Sequence, residues 1–378
     1  MIETPNFLWA IVFFLIAIFP LIIIHELGHY LVGRSFGVHA EVFSIGFGRR
    51  IAGWTDKRGT EWQVGWLPMG GYVRFAGDMS AASTPSAEWL ALPAEARNRT
   101  FQSKPVWQRA LIVFAGPAVN FLFAIAMLAG LFGVYGMMRT EPLVGQLAPI
   151  SAARDAGMRV GDRILSIESQ KIARYEDIPL IVQARAEQPT LFVVQRGNET
   201  LPITITPRRG EIKDITGVKV PVGQIGIMQD LSPKGTYRVP LALSELPGAA
   251  TKFAAQSVRT MVVALGQIVT GNRSVKELGG PVKMAATSER VAQLGFVSFL
   301  FFMTMVSINL GFINLLPIPT LDGGHLAFYA IEAVRRKPVG LAAQELAYRS
   351  GLFVLLAFML FVTINDLAGF GLFGRFAG

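Results

Sequence analysis

Residues 24 to 30 read Ile24-His25-Glu26-Leu27-Gly28-His29-Tyr30. This is the pattern H-E-x-x-H. On a helix, residues four apart share a face, so the imidazoles of His25 and His29 can bind one zinc ion. Glu26 stands between them. It is not a ligand, but it lies close enough to take a proton from the water that zinc activates. A catalytic zinc needs a third protein ligand and keeps one position open. The chain has no Cys, so a thiolate is excluded as that ligand and as a nucleophile, and no disulfide framework is present. Near the far end, residues 314–325 read Asn314-Leu315-Leu316-Pro317-Ile318-Pro319-Thr320-Leu321-Asp322-Gly323-Gly324-His325. Asp322 is the carboxylate of this stretch and the leading third ligand. His325 competes with it. The prolines and glycines here predict non-helical backbone, which is tolerated at membrane depth only where protein or a polar cavity covers it.

The elements that must position these groups are apolar. Of 378 residues, 52% are hydrophobic and only 16% are charged, against about 25% charged in soluble chains. The charges are missing in blocks. Residues 4–25, 110–138 and 291–321 carry none, and a shorter run covers 352–364. A membrane span needs about 20 mostly apolar residues, so the reading is four spans. The first is read as retained and not as a cleaved signal, because its leader has no Lys or Arg and no small-x-small site follows. Three ionisable residues at the end of a span are costly and imply a partner or a function. Basic residues crowd the segment between the first two spans and the segment between the last two. The positive-inside rule then places both segments in the cytoplasm and both termini outside. Topology and an anionic lipid bilayer account for the net charge of +9. No basic tract with interleaved aromatics supports nucleic-acid binding.

Further motifs follow the same order along nearly the whole chain. They are residues 43–48 (FSIGFG), Gly70-Gly71-Tyr72-Val73 and residues 115–121 (AGPAVNF). Together with H-E-x-x-H and residues 314–323 they resemble the site-2 protease family (M50) of intramembrane zinc metalloproteases. The likeness is greatest to the bacterial branch that regulates sigma factors, in a form with a single PDZ domain. The resemblance implies zinc on His25, His29 and Asp322, with Glu26 as the catalytic base. It implies that Asn314 helps hold the substrate, in a loop shaped by Pro317 and Pro319. It also implies a membrane-associated β-hairpin over residues 61–75, which presents Gly70, Gly71 and Tyr72 for strand addition by an unwound substrate. Substrates of this kind are single-span membrane proteins, anti-sigma factors among them, after a first cut outside the membrane. The location implied is the bacterial inner membrane.

The expected fold is therefore a multi-pass α-helical membrane protein with four transmembrane helices, a membrane-associated β-hairpin or sheet and one extracytoplasmic PDZ domain. Residues 1–138 hold the first two spans, the H-E-x-x-H and the hairpin. Residues 139–209 are assigned to the PDZ domain. Within it, residues 151–165 resemble the helix-turn-strand signature of bacterial PDZ domains, and Val144-Gly145-Gln146-Leu147 would be the strand at the peptide groove. Residues 210–290 form a connector with an amphipathic helix over 249–269. Residues 291–378 hold the last two spans and the L-D-G motif. Two other classes are weighed against a protease. A membrane-anchored PDZ adaptor with a vestigial zinc site would have no use for Glu26. A zinc-linked transporter would carry polar residues inside several spans, whereas the second span offers mainly Asn120.

Overall fold

A computed structural model describes residues 7–77, 93–213, 219–230, 235–271 and 279–369. In chain order the elements are α1 (Phe7–Ser35), β1 (Ala40–Thr55), β2 (Glu61–Phe75), α2 (Ala94–Arg97), α3 (Val106–Tyr135), β3 (Met137–Thr140) and β4 (Val144–Leu147). Next come α4 (Ala152–Asp155), β5 (Arg163–Ile167), β6 (Gln170–Lys171), α5 (Asp177–Gln183), β7 (Thr190–Arg196), β8 (Glu199–Ile205), β9 (Arg208–Lys213) and β10 (Lys219–Gln224). The chain ends with β11 (Ile227–Gln229), β12 (Thr236–Val239), α6 (Leu246–Val269), α7 (Pro281–Gln293), α8 (Phe296–Asn314), α9 (Asp322–Arg335) and α10 (Leu341–Gly369).

Four helices are long and apolar enough to cross a membrane: Phe7–Ser35, Val106–Tyr135, Phe296–Asn314 and Ala342–Ala368. They coincide with the four uncharged runs. The last extends well beyond residues 352–364 at both ends. At its far end it carries Asp366, which is almost wholly buried. That carboxylate accepts the backbone N–H groups of Gly280, at 3.1 Å, and Lys283, at 2.9 Å. It thereby caps the start of α7, whose own N-cap residue has no side chain to do so.

Two compact units emerge from the chain. The first comprises Met1–Leu128, Ala250–Val258 and Val275–Gly378; the second comprises Ala129–Ala249 and Arg259–Ser274. In the first unit, the end of α1 and the small sheet share a core with α3 and α9. Tyr30, Val38, Phe43, Phe75, Phe101, Ile112 and Tyr329 form it. The sheet is more than a hairpin over residues 61–75, because the two pieces of that stretch pair with β1 instead of with each other. The first half of β1 meets residues 71–75 on one side, with Phe43 opposite Val73 and Ser44 opposite Tyr72. On its other side it meets the start of β2, with Phe43 opposite Trp62 and Ser44 opposite Gln63. The second half of β1 returns antiparallel along residues 61–65. The four segments thus lie in the order 50–55, 61–65, 42–45, 71–75. The doubling back occurs around Gly46 and Gly48, both at positive φ, a conformation that glycine adopts without strain.

In the second unit, β6, β5, β7 and β8 form one sheet in that order, and β4 pairs with β11. Val144, Ile164, Ile178, Phe192 and Ile205 anchor the core, and Ile225 is buried among them. The domain boundary expected at residue 209 therefore moves. Residues 225–229 belong to the packed domain, because without Ile225 and the β4–β11 pair its core would lie open on that side. Val144–Leu147, expected as the strand at a peptide groove, does not line the second unit's cavity. A cavity of about 250 Å3 runs between α5 and residues 223–227, lined by Ile178, Val182, Ile225 and Ile227. Val144–Leu147 is paired behind that strand, with Leu147 opposite Ile227. The helix expected over 249–269 is present as α6, three residues longer at its start.

Candidate metal centre

The helical spacing of H-E-x-x-H works as its period requires. His25 and His29 lie one turn apart on α1, with their Nε2 atoms 3.2 Å from each other. The first residue of α9 is Asp322. Its Oδ2 lies 3.1 Å from His25 Nε2 and 3.6 Å from His29 Nε2. Zinc bonds of about 2.0–2.1 Å in a tetrahedron set neighbouring ligand atoms roughly 3.4 Å apart. The three atoms therefore match three corners of such a site. Among the described residues, His25, His29 and Asp322 are the group able to hold a metal ion together. Asp322 Oδ2 is buried and receives no hydrogen bond among the described residues. A buried carboxylate oxygen left that way is costly unless a cation meets it. The donor set, two imidazoles and a carboxylate with a fourth direction free, fits a catalytic zinc.

A cavity of about 220 Å3 opens on this group. Glu26, Tyr72, Val73, Asn314 and His325 all line it. Glu26 is half-buried and lines the cavity beside Val73. His325 shares the cavity without joining the three-atom cluster. Burial holds its pKa below the ordinary value. His39, the fourth histidine, lies elsewhere, against Arg34.

The other residues expected at the site divide. Tyr72 faces the cavity, and its hydroxyl accepts a hydrogen bond from Gln63 Nε2 at 2.9 Å. Gly71 packs on Glu26, since a Cβ there would come 3.2 Å from Glu26 Cγ and 2.8 Å from the Ser44 carbonyl. Gly70 is against the Phe47 ring, one step away from the cavity wall. Pro317 and Pro319 do not line the cavity. Pro319 packs against Gly324 and Gly351, so its part is to fold the loop that delivers Asp322. Sequence reasoning missed what α3 contributes. A Cβ on Gly116 would run into both His25 and His29, and one on Gly28 would come 2.5 Å from the Ala115 carbonyl. These two glycines let α1 and α3 touch backbone to backbone. The signal was the pair of glycines in G-H and A-G-P, but only the crossing of the helices gives it meaning.

A membrane protein with two helix histidines, a facing aspartate and a glutamate in one cavity has the makings of a zinc metalloprotease of the membrane. The comparisons agree: the chain belongs to peptidase family M50, which it matches over residues 13–358. It is 41% identical over 367 residues to a protein of Rhizobium meliloti (strain 1021) assigned as a zinc metalloprotease, covering 96% of this chain and 97% of that one. A protein of Agrobacterium fabrum with the same assignment is 40% identical over 359 residues, 95% of each chain. Metalloprotease MmpA of Caulobacter vibrioides is 37% identical over 396 residues, covering 99% of this chain and 98% of its own. The chain is thus a zinc metalloprotease with four apolar helices fit to span a membrane.

Proposed function

We propose that this protease cuts single-span membrane proteins within the bilayer, near its cytoplasmic face, with His25, His29 and Asp322 holding zinc and Glu26 as the base. The observation that carries the reading is the meeting of three ligand atoms within 4.8 Å of one another beside Glu26 in one cavity. Zinc, when bound, supplies Lewis acidity and lowers the pKa of water toward about 7. Glu26 accepts the proton that the attacking water gives up and returns it to the leaving amine, so no net proton is consumed at that step.

A transmembrane helix protects its carbonyls with its own hydrogen bonds. Its target bond must be unwound before water can reach it. Residues 71–75 are the last segment in the sheet order, and Tyr72, Val73 and Phe75 line the cavity. An unwound substrate segment added along this edge would lie beside Glu26. Asn314, at the end of α8 and on the cavity wall, is placed to hold the segment from the other side.

The basic loops set the orientation, with both termini outside the cytoplasm in a bacterial inner membrane. The second unit, with its groove between α5 and residues 223–227, is read as a PDZ-like domain on the extracytoplasmic side. It screens substrates for prior trimming, as suits an enzyme that acts on anti-sigma factors after a first cut. The test is zinc analysis joined to cleavage of a single-span reporter, with and without a chelator. One zinc per chain is expected, with cleavage lost on chelation and restored by zinc. A protein that carries zinc yet leaves every such reporter intact would instead be a membrane-anchored adaptor.

A further inference from the structure

Within the 29 uncharged residues of 110–138, Asn120 is the polar side chain that stands out, and it is fully buried. Its amide lies 3.1 Å from His25 Nδ1. The amide nitrogen faces the ring, and Oδ1 is buried with no hydrogen-bond partner among the described residues. That placement conflicts with the chemistry of the site. His25 Nε2 faces Asp322 and His29 Nε2. For Nε2 to act as a ligand it must offer a lone pair, so the ring proton sits on Nδ1. An N–H cannot donate to an N–H. The amide oxygen and nitrogen differ little in size, and a half-turn of the side chain exchanges them. After that turn, His25 Nδ1 donates to Asn120 Oδ1.

His29 gives an internal control. Its Nδ1 lies 2.9 Å from the backbone carbonyl of Ile112, a group that can only accept. His29 Nδ1 therefore carries the proton and its Nε2 faces the metal position. Ile112 and Asn120 are two turns apart on α3, so one helix fixes both rings. The Asn120 backbone carbonyl is itself held by Ser307 Oγ of α8, at 2.9 Å.

We propose that Asn120 is a positioning residue for the metal centre: its amide oxygen accepts the His25 Nδ1 proton and holds the ring in the tautomer that presents Nε2 to zinc. This rests on the zinc reading above. Partners of this kind affect metal affinity by about 10–100-fold.

The experiment uses the full-length protein purified in detergent, with zinc affinity measured by competition against chelators of graded strength. Asn120→Leu keeps the size of the side chain and removes the acceptor; a 10–100-fold weaker zinc site is expected. Asn120→Asp keeps an acceptor for the same proton; zinc binding as tight as in the parent, or tighter, is expected. If Asn120→Leu does not survive purification, Asn120→Ala carries the test with the same expected loss. Unchanged affinity in the variant lacking the acceptor overturns the proposal. So does Asn120→Asp binding as weakly as Asn120→Leu, since a donor role would then be at work. His25→Ala run alongside separates the two readings. If that variant retains zinc at parental affinity, the metal site itself is misassigned, whatever Asn120 does.

Discussion

Two aspartates of this chain each turn a carboxylate oxygen away from solvent, to very different ends. Asp162, in the second unit, is 1% exposed. Both its oxygens are occupied: Arg196 donates to Oδ1 at 2.8 Å and to Oδ2 at 2.7 Å, and the Arg159 backbone N–H reaches Oδ2 at 2.8 Å. Asp322, in the first unit, turns Oδ2 toward two imidazole nitrogens and receives no hydrogen bond there among the described residues. A buried acid whose lone pairs are filled by a guanidinium is a finished structural contact. An acid whose buried oxygen converges with two imidazole nitrogens is a group able to hold a metal. The difference lies in the partners, since each acid has a carboxylate oxygen out of reach of solvent.

Breaking each acid should therefore give opposite results. Asp322→Ala has the largest effect: zinc is lost from the purified protein and reporter cleavage falls to background, while the second unit keeps its fold. Zinc stoichiometry checks this, and an unchanged value would move the third ligand to His325. Asp162→Ala should leave zinc content untouched. It leaves the Arg159 backbone N–H without its acceptor and costs the second unit about 1–3 kcal/mol of stability, which denaturant unfolding would register. Gly116→Ala sharpens the comparison from the other side, since it alters neither acid nor ligand. Its methyl pushes on both histidine rings, at a cost of about 1–3 kcal/mol of overpacking strain. Zinc binding should weaken by roughly tenfold, and chelator competition measures that.

Much of the first unit was legible in the sequence, because its signals are local or chemically rare. Four uncharged runs mark the four long helices, and H-E-x-x-H carries its geometry in its spacing. Asp322 could be singled out because the chain has no Cys and little else ionisable lies near a span end. What could not be read depends on partners distant in sequence. Asp366 looked like a charge that should end a span, yet it continues the helix because α7 supplies backbone N–H groups to pair with it. Residues 61–75 read as two short strand pieces around Pro68-Met69-Gly70-Gly71, in line with the hairpin the family resemblance implies. Which strand each half pairs with is decided by β1. Residue 209 looked like a domain end because the β runs shorten there, whereas a strand some fifteen residues later completes the core. Asn120 was visible as a polar residue in a span, but its meaning is set by a histidine 95 positions away.

The most direct test of the account is the rate of reporter cleavage by Glu26→Gln, measured on protein whose zinc content has been matched to the parent. The amide side chain of that variant fills the same space, but it cannot take up a proton. Loss of a general base costs about 10²–10⁴-fold in rate. The account predicts a zinc-loaded, membrane-inserted protein that yields no detectable product. Cleavage at the parental rate would contradict it.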